Sequence, residues 1–365
     1  MKKIQIALVS KETLPVFYMI NELLPDEVYL IGTDQTNDYE ARIAKAVESI
    51  TEKHVVCHRL KTDANDIRDC MRQCDSVHAK NGDDCEYCYN LTCGTKLMAI
   101  GALVCAQKHK AAAVYADYQS YTDFDEFHSH PMTHLLDIDT IMTLQGQKIK
   151  EKVTYAYDAE RTECAESVRQ FIEDKPKAYS VLISYYNRYK QLPNPFSSGK
   201  LHYYREGGKL AVEYDDAEVF SSRYRDAFKM LFEGRWWETL VADAVARWAD
   251  GRHEVFTSVR FEPQNGKSTN DKNEIDVLVN MGTTLLFVEC KSGSFDQNNI
   301  YKLQTICNTY GSYKSKGVII SYRRNVLKPD LEEKARENRV QLLIPNRSMD
   351  NIPRELDKII KSSKA

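Results

Sequence analysis

The sequence predicts an α/β protein of two units joined by a segment of helices and a β-hairpin, and three observations carry that assignment. Over residues 1–145, short apolar runs rich in β-branched residues alternate with amphipathic stretches. Over residues 146–221, helical periodicity gives way to a hairpin pattern, and over residues 222–365 the order becomes helix, three strands, helix, strand, helix, strand. Strand and helix alternating through short connections imply a mostly parallel sheet covered by helices, a Rossmann-like unit. A chain of 365 residues is long enough for two or three domains, each burying its own core.

The elements follow in order. Ile4 to Val9, Glu27 to Ile31, His54 to Arg59, Glu86 to Leu91 and Ala112 to Tyr115 read as strands, and Pro15 to Leu24, Tyr39 to Thr51, Ala64 to Ala79 and Thr95 to Gln107 as helices. Leu136 to Leu144 reads as a further strand. Residues 151–195 are helix-like, clearest at Ala165 to Glu173 and Tyr179 to Tyr189, and Leu201 to Arg205 with Leu210 to Tyr214 flank the turn Glu206-Gly207-Gly208-Lys209. Helices followed by a hairpin suit either a winged-helix-like module or a connector that spaces two domains. In the last unit Gly234 to Trp248 reads as a helix, Ile275 to Val279 and Thr284 to Val288 as strands joined at Asn280-Met281-Gly282, and Asp296 to Tyr310 as a helix. Leu327 to Asn338, Val340 to Ile344 and Ile352 to Ile360 complete it as helix, strand and helix.

Composition excludes several classes. No run of eighteen apolar residues exists, and Met1-Lys2-Lys3 leads directly into a strand, so the chain is expected in the cytoplasm, without a membrane span or signal peptide. With 50 basic and 53 acidic residues the net charge is -3, which gives no global attraction for nucleic acid. Local basic residues, Lys314, Lys316, Arg323 and Arg324, would have to serve instead. Ten scattered cysteines suit reduced thiols better than a disulfide framework. Cys85 and Cys88, with Cys70, Cys74 and His78 upstream, leave a zinc site open, although no second C-x-x-C accompanies them.

Chemistry concentrates at Asp276, Glu289 and Lys291. Two apolar strands joined by a short turn can bring all three to one sheet edge, and Lys291 lies two residues after Glu289, on the same strand face. Hard divalent cations such as Mn²⁺ or Mg²⁺ take carboxylate oxygens and keep several waters, leaving positions for a phosphate and a nucleophile. A nearby ammonium can orient water or stabilise developing charge. The bland alternative is a hairpin with charges on its solvent face, but Leu285-Leu286-Phe287-Val288 is continuous apolar sequence and reads as a buried strand. The arrangement resembles the PD-(D/E)xK nuclease family, with Glu274-Ile275 before Asp276 where that family's name-giving proline would stand. This resemblance implies a restriction-endonuclease-like fold for residues 222–365. It also implies a metal held by Asp276, Glu289 and the Cys290 carbonyl, a helical acidic residue at Glu238, and a polar helix residue at Gln304.

A second cluster follows the strand ending at Leu91. Thr92-Cys93-Gly94-Thr95-Lys96 opens an apolar helix, and small and hydroxyl residues at such a turn offer N–H groups, a helix dipole and one full positive charge to an anion. Simple helix capping by Thr92 or Thr95 accounts for the same residues. Asn90-x-Thr92-x-x-x-Lys96 with Gly94-Thr95 inside it, together with Ser10-Lys11-Glu12-Thr13 after the first strand, resembles the CRISPR-associated Rossmann fold (CARF), the sensor of type III CRISPR ancillary proteins. Glu12 stands where that family more often has an uncharged polar residue. The resemblance implies a homodimer that binds a cyclic oligoadenylate, most simply cyclic tetra-adenylate, through Ser10, Thr13, Asn90, Thr92, Gly94, Thr95 and Lys96. It also implies a nuclease acting on single-stranded DNA or RNA in antiviral defence. Trp236 and Trp237 suit either base stacking or helix core packing. Two other functions fit the same chain: a ligand-gated nucleic-acid-binding regulator with an inactive nuclease fold, and a sensor that also cleaves its own ligand.

Overall fold

The computed structural model describes residues 1–117, 120–262, 273–282, 284–312, 314–322, 329–345 and 348–361. Arg323 and Arg324 of the expected basic patch lie outside the described residues.

The first unit runs β1 (Lys2–Leu8), α1 (Leu14–Leu23), β2 (Glu27–Gly32), α2 (Asn37–Val47), β3 (Val56–Lys61), α3 (Ile67–Asn81), β4 (Cys85–Asn90), α4 (Lys96–Lys108), β5 (Ala112–Ala116), β6 (Ser120–Asp123), β7 (Ser129–Pro131) and α5 (Ile138–Gln145). The strand order is β3-β2-β1-β4-β5-β6-β7, parallel through β5 and antiparallel beyond it. In a sheet of this order the crossovers leave β1 and β4 to opposite sides, so the crevice beyond their carboxyl ends is where ligands bind. Both candidate ligand loops are in that crevice. Cys85 and Cys88 are three apart on β4 and so point to opposite faces.

Leu136 to Leu144, read as a strand from its apolar run, is a helix instead. The Asp137 side chain accepts the Thr140 N–H at 2.8 Å and starts α5, and the buried residues Ile138, Ile141 and Met142 then repeat at helical spacing. The sequence also gave no sign of the short antiparallel extension β6–β7.

After β8 (Ile149–Thr154) come α6 (Ala159–Asp174), α7 (Pro176–Tyr189) and the strands β9 (Phe196–Ser198), β10 (Leu201–Glu206), β11 (Lys209–Tyr214) and β12 (Ala217–Ser222). The expected hairpin, β10–β11, is thus the middle of a four-stranded sheet. The last unit contains α8 (Ala227–Glu233), α9 (Arg235–Ala249), β13 (Glu254–Phe261), β14 (Glu274–Asn280), β15 (Leu285–Lys291), α10 (Gln297–Tyr310), β16 (Lys316–Ser321), α11 (Pro329–Glu337), β17 (Val340–Leu343) and α12 (Asn351–Lys361). Its sheet has the order β17-β16-β15-β14-β13-β8, so residues 149–154, expected in the connector and helix-like from residue 151, instead form β8, an edge strand of the C-terminal sheet.

β15 is buried on both faces, as its continuous apolar sequence requires. Leu286, Val288 and Cys290 pack with the α9 tryptophans, and Leu285 and Phe287 pack with Ile300, Leu303 and Ile306 of α10. Trp236 and Trp237 are core residues, and the Trp237 indole N–H donates to the Ile320 carbonyl at 2.9 Å. One apolar cluster joins Val9, Leu14, Ile138 and Ile141 of the first unit to Ile275, Phe287 and Ile319 of the last, so the two units share a core. The side-chain amide of Asn280 adds a hydrogen bond to the Leu136 carbonyl at 2.8 Å.

Candidate active site and ligand cavity

The β14–β15 ladder pairs Val277 with Val288, which sets Asp276 opposite Glu289. Glu289 is buried, and one of its oxygens, Oε1, is 2.7 Å from Lys291 Nζ and 3.5 Å from Lys302 Nζ. Asp276 Oδ2 accepts the Cys290 N–H at 2.6 Å. Burial holds the Asp276 carboxyl well above its usual range, and the charges of Glu289 and Glu238 push it further. Glu238, in the first turn of α9, is also raised, chiefly by burial and then by Glu274 and Glu289, against the opposing pull of Arg235 and Lys291. Burial would lower Lys291, yet the adjacent Glu289 outweighs it and keeps the ammonium charged. Three carboxylates and a lysine therefore meet at the carboxyl end of β15.

That donor set fits a hard divalent cation, because ionised carboxylates this close and this buried disfavour one another until a cation joins them. Among the described residues no three His, Cys, Asp or Glu side chains are set as a metal cage. Asp276 and Glu289 would therefore hold the ion with main-chain oxygen and water, as Mg²⁺ sites commonly do.

The structure corrects two sequence expectations around this site. Gln304 is not beside the carboxylates. Two residues along α10 is about 200° of helix rotation, so Lys302 reaches Glu289 while Gln304 lines a groove of ≈ 590 Å³ on the sensor side with Lys11, Arg42 and Arg339. The signal was available in the core positions Ile300 and Leu303, which fix the flank that Lys302 presents. Lys316, finally, opens β16 opposite Leu286, whereas Ser321 lies opposite Lys291, so Lys314 and Lys316 are about 16 Å or more from the site along the strand.

The second cluster forms an open cleft of ≈ 570 Å³ at the carboxyl ends of β1, β4 and β5, lined by Ser10, Glu12, Thr92, Cys93, Gly94, Tyr115 and Asp117 among others. Gly94 has φ +78°, and a Cβ there would stand 3.2 Å from Leu8 Cβ and 3.3 Å from Met98 Cβ, so only glycine keeps the turn. Asn90 is buried and does not reach the cleft; its Oδ1 accepts from the Thr92 N–H and hydroxyl and so orients Thr92, whose Oγ1 in turn accepts the Ala116 N–H at 2.7 Å. Thr95 caps α4, accepting from the Met98 N–H at 3.2 Å and donating to the Ala64 carbonyl at 2.7 Å. Lys96 is exposed at the start of that helix. Thr13 is turned away: it is 1% exposed, and its hydroxyl donates to the Leu144 carbonyl at 2.9 Å. Tyr115 and Asp117 were not anticipated, because their place in the cleft depends on β5 pairing beside β4.

Fold and sites together define a two-part protein, a Rossmann-type ligand-binding unit packed against an α/β unit with a nuclease-like carboxylate centre. Family models make this specific: residues 4–145 are a CARF domain of the Card1 type, and residues 225–361 are a Card1-like endonuclease domain. Among solved structures, the fold is shared with Can2 from Sulfobacillus thermosulfidooxidans in complex with cyclic tetra-adenylate, at a TM-score of 0.74, 16% identity and coverage of 98% of this chain and 99% of that one. Protein VC1899 from Vibrio cholerae aligns at a TM-score of 0.73 and 13% identity, with 98% of each chain covered. A type III CRISPR defence DNA nuclease activated by cyclic oligoadenylate aligns at 0.57 and 19% identity, over 88% of this chain and 46% of that one. No curated protein sequence matches the chain.

Proposed function

We propose that this chain is a metal-dependent endonuclease of type III CRISPR defence, working in the cytoplasm and switched on by a cyclic oligoadenylate, most simply cyclic tetra-adenylate. The observation that carries the reading is the convergence of Asp276, Glu289, Lys291 and Glu238 at one strand end, in a chain whose first unit is a CARF domain. A bound Mn²⁺ or Mg²⁺ would acidify water and offset charge on the phosphate. Asp276, Glu289 and the Cys290 carbonyl would hold it, Glu238 would support the cluster, and Lys291 would orient the attacking water.

The activator occupies the cleft at Ser10, Thr92 and Gly94, with Lys96 at its edge. A ligand with two-fold symmetry matches two identical half-sites, which requires a homodimer. An exposed stripe on α4 supports one: Leu97, Ile100 and Val104 are 40%, 51% and 40% exposed at helical spacing, directly after Lys96. The CARF-endonuclease resemblance supports single-stranded DNA or RNA as the substrate, to which the buried tryptophans of α9 add no stacking platform. No base-reading helix is evident among the described residues, which favours cutting without strong sequence preference. Labelled single-stranded DNA and RNA incubated with Mn²⁺, with and without cyclic tetra-adenylate, test this beside Glu289→Ala and Lys96→Ala. Ligand-dependent cutting lost in Glu289→Ala and weakened in Lys96→Ala is expected. Cutting that ignores the ligand, or survives Glu289→Ala, refutes the reading.

A further inference from the structure

The cleft poses an electrostatic problem for the ligand assigned to it. Its described lining contains two carboxylates, Glu12 and Asp117, and no lysine or arginine. The Thr92 hydroxyl is already engaged by Asn90 and Ala116. A cyclic oligoadenylate brings one negative charge per phosphate, so like charges would meet unless a cation joins them. Lys96 is at the edge on α4, and Lys11 lines the neighbouring groove. A cation beside one of these carboxylates comes from the other domain: Lys314 Nζ is 2.6 Å from Asp117 Oδ1.

We propose that Lys314, a residue of the endonuclease domain, is part of the sensor's ligand site and exchanges Asp117 for a phosphate of the bound nucleotide. The inference rests on the activator reading above. The pair is suited to exchange, because its side chains are 31% and 55% exposed and an ion pair so hydrated contributes little that a phosphate would not replace. The ammonium already reaches the cleft wall, so the exchange needs a rotamer change and no domain movement. It also gives the ligand a contact on the nuclease side. Lys314 follows the carboxyl end of α10, the helix whose first half sets Lys302 against Glu289.

Calorimetric titration of the full chain with cyclic tetra-adenylate tests this in four forms: wild type, Lys314→Met, Asp117→Asn and the double variant. Lys314→Met should weaken binding about tenfold, the size of one charge-assisted contact, and Asp117→Asn should tighten it. The decisive comparison is made without the carboxylate, where Lys314→Met should still weaken binding about tenfold. Equal affinities of Asp117→Asn and the double variant overturn the proposal, since Lys314 would then only neutralise Asp117. Failure of the wild-type chain to bind cyclic tetra-adenylate overturns the activator reading and this assignment with it, a result distinct from the first.

Discussion

Gly282 tests whether the sensor and nuclease units are mechanically joined. It closes the β14–β15 turn at φ +85°, and a Cβ added there would lie 2.4 Å from Leu135 Cδ2, 3.0 Å from Leu135 Cβ and 3.1 Å from Leu135 Cγ. Gly282→Ala therefore carries two costs, about 1–2 kcal/mol for left-handed backbone and about 1–3 kcal/mol for overpacking. Leu135 is 57% exposed, so Leu135→Ala alone should cost less than about 1 kcal/mol. The double variant keeps the backbone term and the 3.0 Å approach of the residue 135 Cβ but loses the contacts with Cγ and Cδ2, so the two substitutions should be non-additive by most of the overpacking cost, about 1–2 kcal/mol. All 3 tryptophans, Trp236, Trp237 and Trp248, are on α9, so their fluorescence during urea unfolding reports the C-terminal core specifically. Ligand-stimulated cleavage should fall in Gly282→Ala and recover in part in the double variant, because this turn sets the strands that carry Asp276 and Glu289. Strict additivity, or a Gly282→Ala variant as stable as wild type, refutes the packing of Leu135 on this turn.

Three further outcomes are expected. Asp276→Asn should abolish cleavage yet raise the melting temperature in chelator at neutral pH. The raised carboxyl binds its proton more tightly when folded, so stability is greatest below the ordinary carboxylate range and falls as pH rises through the raised value; a variant that melts lower than wild type contradicts this. His78, 8% exposed and stacked between Tyr87 and His109, is lowered to about 4, first by burial and then by His109. The unfolded chain alone takes up that proton between the ordinary histidine value and 4, so roughly 3 kcal/mol should be lost as pH falls through that window, and His78→Gln should flatten the loss in urea titrations followed by circular dichroism. Thr13→Val leaves the Leu144 carbonyl without its donor and should cost about 1–3 kcal/mol, while calorimetry with cyclic tetra-adenylate finds ligand affinity unchanged.

The elements that were legible in the sequence owe their clarity to period. β1, β2 and β15 read correctly because buried strands are short apolar runs, and Asp276, Glu289 and Lys291 were placed together because a turn of fixed length sets their register. What failed depended on partners distant in the chain. Thr13 follows the first strand as a ligand contact would, but its hydroxyl is claimed by a carbonyl 131 residues away. Ile138 to Leu144 is apolar enough for either a strand or a helix, and the Asp137 cap decides it. Gln304 and Lys302 are equally polar, and only the packing of Ile300 and Leu303 selects between them. Lys314 had been grouped with a substrate-binding patch by proximity in sequence, whereas the parallel pairing of β15 with β16 carries it to the sensor end.

These placements bound how activation can work. The sensor touches the C-terminal sheet at the turn end of β14 and β15, through Leu135 against Gly282 and Leu136 against Asn280. Glu289 is four residues beyond Leu285 and Asp276 four before Asn280, so the carboxylates lie about 13 Å away along the strands. The lining of the ligand cleft contains none of Glu238, Asp276, Glu289 or Lys291, so a ligand bound there does not touch the carboxylate centre. Coupling must then pass through packed elements with two arrangements, and the ligand must favour one of them by about 1.4 kcal/mol for each tenfold shift. Of the elements packed on this sheet, α10 meets the requirement most directly. Its 14 residues span about 21 Å. Near its amino end Lys302 holds the Glu289 oxygen that Lys291 also holds, and beyond its carboxyl end Ser315 accepts the Leu285 N–H and Lys314 meets Asp117. On the proposed function, a helix anchored at both ends would pass a shift at the cleft to Glu289, the carboxylate that the proposed metal would have to take from two lysines.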